Sequence, residues 1–241
     1  YRTLKHNLLV LKSYIKMDVS LILKGIPFLL VLLLFSGLLL IELSDEIDGG
    51  IRLAQNITNT ALMVSTIMDR LPFILILILL FYSNELVTRG ETVRFEILEN
   101  TTPYQQTIAL LSKIISLFTI PFILITWSIF IGCGFQIIHA NAPIEFSLYA
   151  SLYYFLGFPV LLISVLVLFI QTVISNKYLG LSIAIIVTLL ISSGIGEQLG
   201  ISHPLFRFGD AFKREYFDLN GFGRYTIPFH VSMVYNLGLA L

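Results

Sequence analysis

"LPFILILILLFYSNELVTRGETVRFEILENTTP", residues 71–103, changes character halfway along. Its first part, "LPFILILILLFYS", carries no charged residue, whereas 85–103 holds six of the chain's thirty Asp, Glu, Lys and Arg. A further apolar run, "IISLFTIPFILITWSIFIGCGF", follows and is again uncharged. The polar interruption is too short for a domain and longer than a hairpin between two helices requires. Thr88 and Glu91 stand at capping-box spacing, which predicts a new helix starting there. Pro103 disfavours helical geometry at Thr102, so that helix is expected to end near Thr102, after about three turns. Val93, Phe95, Ile97 and Leu98 give it apolar projections, among the charges of Arg94, Glu96 and Glu99. Such an element suits docking by another protein.

Composition sets the surroundings. Of 241 residues, 56% are hydrophobic and 12% charged, with mean hydropathy +0.89. A soluble domain carries about 25% charged residues, so this chain lacks the polar surface to coat a water-soluble body of its size. It reads as an all-α integral membrane protein. The formal net charge is zero, which gives no attraction to nucleic acid. Cys133 is the single cysteine and sits in an apolar run, so no internal disulfide can form and it reads as a small packing residue. The chain starts at Tyr1 and stops at Leu241 inside an apolar run, and a fragment of a longer polypeptide, a single transmembrane domain over 1–241, is expected.

A hydrocarbon layer about 30 Å thick needs about 20 apolar residues in helical form. Spans are expected at 26–42, 71–87, 114–138, 148–174 and 178–195, with a sixth at 226–241 that is cut short. The second is started at Leu71 because Asp69 and Arg70 would cost about 2.5–3.5 kcal/mol each near the bilayer centre. Any helix before Leu71 is expected to stand outside the hydrocarbon. Pro121 and Pro159 are expected to kink their helices. Gly132, Cys133 and Gly134 form a small-residue patch suited to close helix packing. Glu42, Glu85 and Lys113 fall at span ends, and no charge falls in mid-membrane, which argues against an ion or proton relay.

Lys and Arg in the loops give an orientation. Arg2, Lys5, Lys12, Lys16 and Lys24 precede the first span; Arg89, Arg94 and Lys113 lie between spans two and three; Lys177 follows span four. With alternation these nine face the cytoplasm and six face outward, four of the six in the 196–225 outer loop. Within 1–25, Leu4, Leu8, Leu11, Ile15, Val19 and Ile22 stay within about 80° on a 3.6-residue helix. With Lys5, Lys12 and Lys16 on one flank, this suits a cytoplasmic interfacial helix lying on the bilayer; the alternative is an amphipathic helix packed on a protein domain.

An interfacial helix before span one, a charged helix between spans two and three, and six spans together resemble the membrane half of type-2, exporter-like ABC permeases. In that family the interfacial helix and the helix after span two, the coupling helix, contact the nucleotide-binding subunit. Glu85, Arg89, Gly90, Glu91 and Pro103 stand where the family has an acid at the end of span two, an Arg/Gly or Glu-Arg element, and a proline before span three. The outer loop is similar to that of large bacterial permeases fused to a zinc aminopeptidase-like domain. His203, Leu205, Phe208 and Gly209 match its first element, and Tyr216, Asp218, Asn220, Gly221, Phe222 and Gly223 its second. In "NGFG", Gly221 and Gly223 permit positive φ, so a tight turn is expected, and Asp218 or Asn220 is expected to cap backbone amides. The aromatic and basic loop suits the headgroup region, as an outer lid or re-entrant element, or as packing on the span tops.

The resemblance implies a permease of the bacterial inner membrane with its N-terminus in the cytoplasm, partnered by an ABC ATPase subunit and a second permease half. It implies ATP-Mg on the ATPase and no cofactor on this chain. Docking would fall to Glu85, Arg89, Glu91, Val93, Arg94, Phe95, Ile97 and Leu98. No Walker A pattern occurs, the four histidines show no metal-ligand spacing, and the zinc-peptidase His-Glu-x-x-His is absent, so no metal site or catalytic motif is assigned and no enzyme is expected here. A second reading is a membrane anchor for a fused peptidase-like domain.

Overall fold

The computed structural model describes residues 4–48, 59–92, 106–139, 143–174, 176–192, 208–209 and 221–240. Among them every regular element is helical: α1 (Leu4–Lys24), α2 (Ile26–Asp48), α3 (Thr60–Thr92), α4 (Gln106–His139), α5 (Phe146–Leu152), a π turn (Tyr153–Gly157), α6 (Phe158–Val173), α7 (Lys177–Ser192) and, after a 3₁₀ turn at Gly223–Tyr225, α8 (Thr226–Ala240). Four helical stretches are long and apolar enough to cross a membrane: 26–45, 60–88, 107–139 and 146–173. The 16 residues of α7 form a shorter apolar helix. The fifth and sixth expected spans correspond to α7 and α8, both too short to meet that length. The part of the fifth beyond Ser192 lies outside the described residues.

α3 is the centre. It packs on α2, α4, α5, α6 and α7, while α8 rests mainly on α6 and α1 lies along α4. Its buried face, including Met63, Ile67, Leu71, Leu75 and Leu79, runs through the main core. The near end of the bundle holds Lys24, Thr92, Gln106 and Lys177; the far end holds Thr60, His139, Phe146 and Thr226.

Nothing breaks the chain between Asn59 and Thr92. Asn59 Oδ1 accepts from the Leu62 amide at 2.8 Å, an N-cap that starts α3 well before Leu71. Arg70 and Asp69 are exposed, and Arg70 forms an ion pair with Glu42 of α2 at 3.1 Å. Two charged side chains thus meet at one level. From Arg70 to Thr92 the helix runs about 33 Å, one bilayer thickness, and the 60–70 turns continue about 15 Å beyond. The helix expected before Leu71 is present, but it is continuous with the span, and the apolar stretch of α3 begins at Thr60. α4 likewise starts at Gln106, eight residues ahead of the expected 114, with Lys113 half-buried inside it.

Helix packing relies on small residues and polar ties. Gly180, Ala184 and Thr188 form the buried stripe of α7, and a Cβ on Gly180 would lie 3.6 Å from the Gln171 Cα of α6. Trp127 of α4 donates to Ser36 of α2 at 2.7 Å, while the neighbouring Thr126 hydroxyl meets Tyr153 of the π turn at 2.7 Å. The π turn lies next to Pro159, whose missing N–H deprives a carbonyl one turn earlier of its donor. Where a kink at Pro159 is expected, the structure shows a widened turn just before it, which the hydropathy pattern did not indicate.

Gly132 lies where α4 meets α5: an added Cβ would be 3.1 Å from the Tyr149 ring and hydroxyl, whereas Gly134 has nothing within 4 Å. Gly132→Val is expected to destabilise the protein by about 1–3 kcal/mol through overpacking, and Gly134→Val to leave stability nearly unchanged. Thermal unfolding in detergent micelles measures both; equal effects would contradict the close α4–α5 approach.

Candidate functional site

The expected site residues fall at opposite ends of the bundle. At the near end Glu85 is exposed on α3. Arg89 and Glu91 lie on the last turns of the same helix, which continues to Thr92. Thr88 does not start a new helix. It is buried within α3 and its hydroxyl donates to the Asn84 carbonyl at 2.8 Å, so the capping box is not formed. A hydroxyl four residues along an existing helix can satisfy itself on the preceding turn, and this outcompetes the cap. Val93, Arg94, Phe95, Ile97 and Leu98, and the expected helix end near Thr102, lie outside the described residues.

α1 and α4 frame this end. Leu11, Ile15 and Val19 are half-buried and Ile22 is buried within the chain itself, whereas Leu8 is 63% exposed. Asp18, absent from that stripe, sits inside the face that meets α4 and is only 6% exposed. It is not left unpartnered. α1 therefore packs on its own chain through a face that includes a buried carboxylate, while Lys12, Lys16 and Lys24 remain exposed. At Gly25 the helix breaks, its amide still bonded to the Leu21 carbonyl at 3.1 Å, and α2 departs with Pro27 in its first turn.

At the far end, Phe208, Gly209, Gly221, Phe222 and Gly223 are described, whereas His203, Leu205, Tyr216, Asp218 and Asn220 are not. Gly221 and Gly223 have φ of 57° and 49°, the positive values expected of the tight turn. The Phe222 ring lies 4.3 Å from that of Phe155 in the π turn. Gly209 is buried with φ 69°, and an added Cβ would approach Ile163 Cγ1 to 2.8 Å and the Pro159 carbonyl oxygen to 3.3 Å. Ile163 stands eleven residues before Ile174 at the end of α6, about 16 Å along the axis and well inside the apolar stretch 146–173. Irregular backbone at that depth must be covered by protein, and Phe208 supplies part of the cover by packing with Phe155, Leu162, Phe229 and Met233.

Polar pairs inside the bundle carried no local signal in the sequence. Tyr149 donates to Gln136 Oε1 at 3.2 Å, and Gln136 Nε2 donates to Thr60 Oγ1 at 3.0 Å and to the Pro143 carbonyl at 3.4 Å. The Glu145 amide adds a bond to Thr60 Oγ1 at 3.2 Å. Nearer the other end, Ser83 donates to Gln171 Oε1 at 2.7 Å. On the outside of the bundle the Tyr154 hydroxyl is bonded to His230 Nδ1 of α8.

These elements make the chain an all-helical membrane protein whose central helix is tied by buried hydrogen bonds toward both ends. No family model matches the chain, and no curated protein matches it.

Gly209→Ala is expected to lower stability both by forcing a side chain into positive φ, about 1 kcal/mol or more, and by the clash with Ile163. Ile163→Ala in the same molecule should return part of the loss, a non-additivity that thermal unfolding of the two single variants and the double variant measures. Strict additivity would contradict the contact.

Proposed function

We propose that this chain is the membrane half of an ATP-driven transporter of the type-2 ABC permease kind, embedded in a cell membrane, with a partner ATPase docking on residues 85–103. The observation that carries the reading is that α3 and α4, the two longest helices among the described residues at 33 and 34 residues, run unbroken, α3 into that segment as far as Thr92 and α4 from Gln106 just beyond it. Each is about 50 Å long, well beyond a hydrocarbon thickness. Force applied between Thr92 and Gln106 would travel along two rigid rods through the bundle. α1, laid along α4, gives the motor a second hold on the same lever, in line with the role that the family resemblance assigns to an interfacial helix.

In this reading the near end faces the cytosol. ATP-Mg is bound and hydrolysed on the partner, whose closure draws the 85–103 segment and α1. The transmembrane helices then tilt and change access to a pathway formed with a second permease half. Glu85, Arg89, Glu91, Val93, Arg94, Phe95, Ile97 and Leu98 form the docking surface. Among the described residues of the four spanning stretches no charged side chain is buried, which suits a lipidic, peptide or otherwise hydrophobic cargo better than an ion.

The test is co-purification. An Arg94→Glu/Phe95→Asp double variant should lose a bound ATPase that the unaltered protein retains, with equal amounts of both in the membrane. An ATPase retained equally by both would place docking elsewhere, and an ATPase found with neither would favour the membrane anchor.

A further inference from the structure

Among the described residues, Ser116 Oγ and both polar atoms of Asn236 are buried without a hydrogen bond. Asn236 of α8 is 1% exposed, and its Oδ1 and Nδ2 are both buried without a hydrogen bond. It belongs to the buried stripe Phe229, Met233, Asn236 that faces α6. Ten residues in from Thr226, it stands about 15 Å along the axis, near mid-layer. A buried polar group left unmade costs stability, and in hydrocarbon no water is at hand to relieve it. A leucine would serve packing alone better.

Two neighbouring features bear on what the amide is for. The π turn opposite α8 is a widened backbone of the kind that recurs at functional sites. Tyr154, in that turn, bonds His230 Nδ1 one and a half turns outward from Asn236. The His230 ring is exposed at that outer edge. The seam between α6 and α8 therefore carries a hydrogen-bonding pair at its outer edge and an unmatched carboxamide at its base, with Phe155, Leu162, Phe229 and Met233 between them. α8 rests mainly on α6, with Met68 of α3 also packed against this cluster.

We propose that the α6–α8 seam is a binding site for an uncharged amide-bearing apolar molecule, with Asn236 pairing to the amide. A carboxamide short of both a donor and an acceptor is matched in full by another amide, which offers both in the same plane. A carboxylate would answer only the donor. An alkane would answer neither. The aromatic and aliphatic walls take the apolar body. The site stands apart from the transporter reading: it needs neither an ATPase nor a second permease half.

The experiment is thermal unfolding of the purified protein in phosphatidylcholine nanodiscs, with decanamide as probe and decane and decanoate as controls. Asn236→Leu, which removes the unmatched amide, should by itself raise the unfolding temperature by a few degrees. Decanamide should raise that of the unaltered protein in a saturable way and leave Asn236→Leu unmoved. Asn236→Ala, which adds no bulk, should lose the decanamide shift as well, while Met233→Leu should keep it. Three results would overturn the site: no decanamide shift in the unaltered protein, the same shift in Asn236→Leu and Asn236→Ala, or an equal shift from decane. An Asn236→Leu protein that unfolds at or below the unaltered temperature would show that the carboxamide is already paired in the fold, and would overturn it too.

Discussion

Two helices in hydrocarbon gain little from hiding leucine against each other, because lipid tails are as apolar as the side chains. What holds them in one arrangement is close packing at small residues and hydrogen bonds that lipid cannot replace. In this chain both devices converge on α3. The Gln136 amide joins α4 to Thr60 at its first turn, with Tyr149 of α5 on the other side of the amide, and Gln171 of α6 takes Ser83 some six turns further on. Individually such bonds contribute about 0.6 kcal/mol on average. Their position matters more than their sum, since they fix α3 to different neighbours at two separate levels.

The rest of the architecture follows from that central rod. Once α3 is held, α7 can close on α6 and α3 through Gly180, Ala184 and Thr188, and the Gly132 notch admits the Tyr149 ring that completes the far-end clasp. The far end is also where irregular backbone enters the bundle, at Gly209 against Ile163. The near end is left with α1 and the ends of α3 and α4.

Much of this was legible in the residues alone. Long uncharged runs marked six spans, four of them met by helices long and apolar enough to cross a membrane, the stripe from Leu11 to Ile22 marked one face of α1, and the glycines of "NGFG" marked positive φ at 221 and 223. These signals are local, and local periodicity is what a sequence displays directly. The clasps were not legible, because Thr60 and Gln136 are 76 residues apart and Ser83 and Gln171 are 88 apart. Thr88 misled for a related reason: its spacing to Glu91 matches a cap, but a helix already running through Asn84 leaves its hydroxyl a nearer acceptor. Asp18 and Asn236 carried no such local signal, and only their burial shows that they face the interior.

The most direct measurement is amide hydrogen exchange of the protein in nanodiscs, comparing the unaltered chain with Gln136→Leu and Gln171→Leu. Two independent clasps predict that Gln136→Leu speeds exchange around 60–68 and the start of α5 and leaves 78–86 protected, while Gln171→Leu does the reverse. If either variant loosened α3 along its whole length, or if neither changed its exchange, α3 would not be a rod pinned at two levels.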